Sequence, residues 1–183
     1  GRSDGREGAC ELGQKLVEAA KGGGLEEVKK LLEQRANIET VSENYSENYL
    51  KQTSLHLAAG RGHYEVVKLL VEQRAEVDAQ DWAPLHFAAG EGHQEIAKLL
   101  LEARAEVDAK GVGKKTPLFF AAGKGHHEVA KLLLEDRAEV DVKDGDGRTP
   151  LSFAAERGHH EVAKLLLEDR AEVDVKDRDG RTS

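Results

Sequence analysis

Residues Thr116 to Leu133 read TPLFFAAGKGHHEVAKLL, and the fold follows from this stretch. Thr116 is placed to N-cap a short helix, and Pro117 takes the first helical position, where a missing N–H costs nothing. Ala121 and Ala122 are small enough for neighbouring helices to approach closely, and Gly125 ends the helix. A second helix is predicted next. Glu128 stands in its favourable first turn, and Val129, Leu132 and Leu133 fall at helical apolar spacing. Ala138-Glu139-Val140-Asp141 then leads into Asp144-Gly145-Asp146-Gly147, a short polar segment suited to a tight hairpin.

The same pattern recurs along the chain. TSLHLAAGRGHYEVVKLL starts at Thr53, APLHFAAGEGHQEIAKLL at Ala83 and TPLSFAAERGHHEVAKLL at Thr149. From Leu55 to Leu85, Leu118 and Leu151 the steps are 30, 33 and 33 residues, and a degenerate copy, LVEAAKGGGLEEVKKLL, begins at Leu16, 39 residues before Leu55. Two short helices and a hairpin bury too little surface alone, so each copy must stack on its neighbours.

The T-P-L-x-x-A-A-x-x-G-H-x-E-V-x-K-L-L-L pattern resembles the ankyrin repeat, from roughly Glu11 to Ser183. The resemblance implies an all-α solenoid of stacked helix pairs with β-hairpin or loop fingers, an L-shaped section and a concave groove. Members of that family mostly serve as protein-interaction modules without catalytic activity. On this reading, residues 1–10 form a flexible leader or tag remnant with Cys10 an inert thiol, and 11–183 form one repeat domain. The repeats fall near 11–40, 50–80, 81–110, 111–143 and 144–176, with a truncated hairpin at 177–183.

Departures from the pattern are informative. Glu18, Glu27 and Lys30 replace residues that are apolar in later copies, as expected of a capping first repeat with one wetted face. The fifth repeat keeps internal-type residues, so its outer face is expected to expose leucines and to favour weak self-association or continuation of the array. Arg35, Arg74, Arg104, Arg137 and Arg170 stand after the second helix, where the resemblance implies a left-handed glycine. Six extra residues lie within Val41 to Tyr49, a polar finger carrying Tyr45 and Tyr49, whereas the next finger is shortened around Asp81-Trp82-Ala83-Pro84.

Charged residues make up 34% of the 183 and the formal net charge is −8, which opposes binding to nucleic acid or anionic membranes. No apolar run reaches the roughly 18 residues of a membrane span. A single cysteine excludes an internal disulfide and fits a reducing, cytoplasmic or nuclear setting. His63, His93, His126 and His159 recur at one repeat position and so lie on parallel lines instead of converging as a zinc site requires. The resemblance implies that they hydrogen-bond backbone and tie neighbouring repeats. Gly22-Gly23-Gly24 lies between helices and carries no nucleotide-binding signature. No catalytic, metal or cofactor site is expected.

Carried over from the family, partner contacts concentrate at finger tips and at the ends of first helices. Those positions are Tyr45, Tyr49, Arg61, Trp82, Glu91, Val112, Lys115, Lys124, Arg148 and Arg157, with Gly90 and Gly123 beside them. The acids crowd the second-helix ends, which predicts a basic groove on an acidic body. The expected function is binding of another protein, through an acidic segment, by a mostly monomeric module. The alternatives are a spacer, a fragment of a larger ankyrin protein, or an engineered scaffold: residues 125–149 and 158–182 differ only at Gly145 versus Arg178.

Overall fold

The structure is a computed structural model that describes residues 4–43, 51–79, 82–169 and Gly180. Among them are ten α-helices: α1 Asp4–Gly22, α2 Leu25–Glu33, α3 Ser54–Arg61, α4 Tyr64–Glu72, α5 Pro84–Glu91, α6 Gln94–Glu102, α7 Pro117–Lys124, α8 His127–Glu135, α9 Pro150–Glu156 and α10 His160–Glu168. Each repeat contributes two. The odd-numbered helices pack side by side in one row and the even-numbered ones in a second. One continuous core runs between the rows, from Leu16 and Val28 through Leu55, Leu70, Leu85, Leu100, Leu118 and Leu133 to Leu166. The helix α1 begins at Asp4, so it takes in residues 4–10, which residue order alone sets apart as a leader.

Stacking rests on glycine and histidine together. Gly62, Gly92 and Gly125 end α3, α5 and α7 with φ of 78, 75 and 76°, a left-handed conformation glycine adopts without penalty. On each lies the imidazole of the following repeat. A Cβ at Gly125 would stand 2.5 Å from the His159 ring, and one at Gly92 would stand 2.6 Å from His126. The histidine Nε2 donates to the carbonyl two residues before that glycine: His63 to Lys21 O at 3.0 Å, His93 to Gly60 O at 3.2 Å, His126 to Gly90 O at 3.0 Å and His159 to Gly123 O at 3.1 Å. These rings are mortar between repeats, each nitrogen satisfying a helix-terminal carbonyl.

A second ladder runs through the loops after the even helices. Glu39 accepts the Glu76 N–H at 2.8 Å, Asp78 that of Glu106 at 3.0 Å and Asp108 that of Glu139 at 3.0 Å. The recurring Ala-Glu-Val-Asp is thus a carboxylate-to-amide chain linking successive loops. Fingers are closed by single backbone pairs, Gly111 N to Lys115 O at 2.9 Å and Asp144 N to Arg148 O at 2.9 Å. The β-pairing among the described residues is one antiparallel bridge, Val41 with Thr53.

The first-helix caps differ among repeats. Thr53 shares a capping box with His56, and Thr149 one with Ser152. Thr116 takes the expected N-cap position ahead of Pro117, but its side chain makes no capping bond. Its partner position holds Phe119, which cannot reciprocate, and its buried hydroxyl has no hydrogen bond. Phe119 instead packs with Val142 and Phe153 in a small satellite core under the fourth finger.

At the ends, Glu18, Glu27 and Lys30 are exposed, with loose ion pairs Lys21–Glu18 at 3.8 Å and Lys30–Glu27 at 4.0 Å wetting the face as a cap requires. On α9 and α10, Ala155 is exposed where Ala122 is buried, and Leu167 is 47% exposed.

The arginines adopt the strained conformation expected of them: φ is 64, 65, 69 and 67° at Arg35, Arg74, Arg104 and Arg137; Arg170 lies outside the described residues. Left-handed backbone costs a non-glycine residue about 1–2 kcal/mol, partly offset by a cation at a helix C-terminus and by the greater unfolded-state entropy of glycine. Replacing each of these four by Gly is expected to stabilise the fold by about 0.5 kcal/mol per site, additively because the sites share no partner. Urea unfolding of the single and fourfold variants measures this; a fourfold variant less stable than the parent would show that the arginines contribute more than their strain removes.

Candidate protein-binding groove

The groove is built from Ala79, Trp82 and Ala83 on the second finger, the third and fourth fingers at residues 109–115 and 142–148, and the exposed sides of α5, α7 and α9. Two buried histidines hold the second and third fingers. His56 Nδ1 accepts the Thr53 N–H at 3.1 Å, so Nε2 carries the proton and donates to Ala79 O at 3.0 Å and Trp82 O at 2.6 Å. His86 Nε2 reaches Ala109 O at 2.9 Å and Lys115 O at 3.1 Å. Each ring therefore clamps both strands of the next finger. Burial pushes the His56 pKa down to about 4, against the opposing pull of its carbonyl partners, and lowers that of His86 for the same reason.

Trp82 leads into α5 on the shortened finger. Its ring covers Gly111, where a Cβ would come within 2.9 Å. It meets His86 and Phe120 edge to face at centroid distances of 5.3 and 5.0 Å. The indole is therefore a packed part of the fold on one side and, being half-buried, a groove wall on the other.

Phe87, Phe120 and Phe153 form a row along the odd helices, one per repeat. Each lies over a helical glycine of the preceding repeat: a Cβ on Gly60 would be 3.3 Å from Phe87, one on Gly90 3.6 Å from Phe120 and one on Gly123 3.2 Å from Phe153. Gly90 and Gly123 are buried beneath these rings and serve as seats for aromatics, and each also lines one of the hollows described next. The row itself escapes a reading of the sequence, because T-P-L-x-F fits core equally well. Its visible signal is an aromatic at Phe87, Phe120 and Phe153, spaced by the repeat.

Two hollows open between these rings. One of about 290 Å³ is lined by Trp82, His86, Phe87, Phe120, Glu91 and Lys124. The other, of about 160 Å³, is lined by Phe119, Phe120, Phe153, Lys115, Lys124 and Arg157. Phe120 and Lys124 belong to both.

The cations on the rim are unequal. Lys124 pairs with Glu91 across the repeat boundary at 2.7 Å, both side chains about half exposed; such a pair contributes little and yields readily. Lys115 Nζ lies 5.3 Å from the Phe153 ring centre, and Arg157 donates to Gly123 O at 3.3 Å. Arg148 departs from the expectation of a free groove charge. Its guanidinium lies 4.4 Å over Phe153 and 3.3 Å from both Asp144 and Asp146, while the fully buried Asp144 carboxylate also accepts the Asp146 and Arg148 N–H groups at 2.9 Å. Arg148 clasps the fourth finger. Val112 is 61% exposed on the tip before it, and Gly145 N ties that tip to the next finger by donating to Gly113 O at 2.6 Å. Arg61 is exposed at the end of α3. Tyr45, Tyr49 and Gln80 lie outside the described residues. Among the described residues, no helix is long and apolar enough to cross a membrane.

The family model described as ankyrin repeats in three copies matches residues 16–111 and again 107–177. With the stacked helix pairs and the glycine–histidine seats, this shows that the chain belongs to the ankyrin-repeat family, whose repeats are in general protein-interaction modules. Two plant proteins are similar over part of the chain. The E3 ubiquitin-protein ligase XBAT32 of Arabidopsis thaliana is 33% identical over 75 residues, covering 41% of this chain and 14% of the relative. The probable E3 ubiquitin-protein ligase XBOS32 of Oryza sativa subsp. japonica is 35% identical over the same extent. The chain thus spans about one-seventh of each relative.

His56 and His86 are buried neutral and gain a proton more readily when unfolded. Their contribution is complete above pH ~6.5, the unfolded value, and is lost as pH falls toward about 4. Stability is expected to be flat from pH 8 to 7 and to drop by about 2 kcal/mol between pH 6.5 and 5 from His56 alone. Urea midpoints across this range test it, and His56→Gln should flatten the slope. A midpoint that does not change between pH 7 and 5 would contradict the assignment.

Proposed function

We propose that the chain is a non-enzymatic recognition module that holds an extended, acidic segment of another protein against the groove of α5, α7 and α9. The supporting observation is the row Phe87, Trp82, Phe120 and Phe153, open between rings and edged by Lys115, Lys124 and Arg157. Packed aromatics beside rim cations are the make-up that interface centres favour. Trp82 and Phe120 are the anchors. Lys115, Lys124 and Arg157 supply attraction, with Glu91 released from Lys124 when a partner carboxylate takes its place. Val112 and Arg61, both exposed, extend the contact. The setting is cytoplasmic or nuclear, where the lone Cys10 stays reduced.

Reversing Lys115, Lys124 and Arg157 to Glu together is expected to weaken partner capture at least tenfold at low salt, with the difference shrinking at high salt as exposed charges are screened. Arg148 is left unchanged, because losing it would open the fourth finger and confuse folding with binding. Equal capture by parent and triple variant, both shown to be folded by circular dichroism, would sink the groove assignment.

The similarity to plant E3 ubiquitin-protein ligases favours a second reading, in which this array is the recruiting section of a longer protein whose activity lies elsewhere. The α9–α10 face, on which Leu167 and Ala155 are exposed, then meets a further repeat; in the isolated chain it supports weak self-association. Sedimentation at high concentration should show a dimer that Leu167→Glu abolishes. A strictly monomeric parent chain would remove that role from the face.

A further inference from the structure

Resting on the groove reading, we infer that the two hollows form a two-subsite reader for a peptide bearing a large apolar residue and, three positions away, an aspartate or glutamate. The hollows share Phe120 and Lys124 but differ in size and charge. The larger, about 290 Å³, has four aromatic walls, and its two charged rim groups, Glu91 and Lys124, already neutralise each other at 2.7 Å. It has room for one Phe, Trp or Leu side chain and offers an incoming charge nothing. The smaller, about 160 Å³, is ringed by Lys115, Lys124 and Arg157 with no carboxylate among its lining residues. Three cations without a carboxylate make it a site for an anionic group, and its chemistry selects a carboxylate.

Spacing follows from the repeat. The hollows lie between α5 and α7 and between α7 and α9, hence one helix-packing distance apart, about 10 Å. An extended polyproline-II segment has three residues per turn and rises about 3.1 Å per residue, so side chains three apart face the same way about 9 Å from each other. A pleated strand does not match, since its same-face residues fall about 6.6 or 13 Å apart at 3.3 Å per residue. Such a preformed segment also loses little freedom on binding. Phe120 acts as the divider that sets the register, and Lys124 is the one cation that lines both hollows.

Trp82 is the only tryptophan of the chain and lines the larger hollow, so its fluorescence reports occupancy directly. The probes are capped Pro/Ser/Gly dodecapeptides without Trp, carrying one Phe and one Glu at separations of one to six residues, with Phe→Ala and Glu→Gln controls. They are titrated into the full chain. The Phe-x-x-Glu peptide is expected to shift Trp82 emission with at least tenfold tighter Kd than the other spacings or either control. In the Lys115→Glu, Arg157→Glu double variant the Glu-over-Gln preference should fall to within twofold, while the Phe-over-Ala preference persists. Affinity that follows acid number regardless of spacing would overturn the two-subsite register and leave the groove reading standing. The register is overturned in the same way if no peptide perturbs Trp82 while a protein partner is still captured and lost on charge reversal. Peptides that obey the register, together with a partner indifferent to charge reversal, would uphold the subsites and displace the groove as that partner's site.

Discussion

The structure depends on a ring of one repeat resting on the left-handed glycine of the repeat before. That contact requires three things together: a helix end with positive φ, no Cβ at that end, and an imidazole whose far nitrogen reaches the carbonyl two residues before it. Gly62, Gly92 and Gly125 meet the first two, and His93, His126 and His159 the third. Since the contact joins neighbouring repeats, it sets their spacing and tilt, and the core between the helix rows then fills with alanine and leucine at matching heights. The carboxylate-to-amide chain through Glu39, Asp78 and Asp108 repeats the principle on the loop side. The acidic character of that face is therefore partly architectural.

The groove inherits its form from this stacking. Helical glycines at 60, 90 and 123 bring the next repeat's ring close to the backbone, producing a row of aromatics whose gaps are the hollows. His56 and His86 hold the second and third fingers as buried, neutral clamps; where Phe119 takes that position, the fourth finger is held by Asp144 and Arg148 instead. One side of the groove is thus fastened by imidazole and the other by an ion pair under an aromatic ring. The same half of the molecule that lends cations to the groove also commits one, Arg148, to its own loop.

Strain and exposure are distributed unevenly. Four arginines occupy backbone that glycine would take without strain, in a stack regular enough to absorb it. Trp82 shows the opposite behaviour: a single side chain covers Gly111, packs two rings and still presents a face to solvent. Its two roles are compatible because an indole is large enough to be structural along one edge and available along the other.

The helix pairs, their order and the wetted first repeat were legible from residue order alone, because each follows from local chemistry repeated at a fixed period, and the left-handed arginines from the family resemblance. Glu18 against Leu57 reads as a wetted face without any coordinates. Trp82, Glu91, Lys115, Lys124 and Arg157, named from the family pattern, line the hollows, but the rings between them were not legible. Phe87, Phe120 and Phe153 look like core in one dimension, Gly90 and Gly123 look like surface, and Arg148 looks like a free charge. Their true settings depend on contacts with the neighbouring repeat, or on how a finger folds back on itself. Periodicity determines that repeats stack; only the packed stack decides which side of a ring faces a neighbour and which faces a partner.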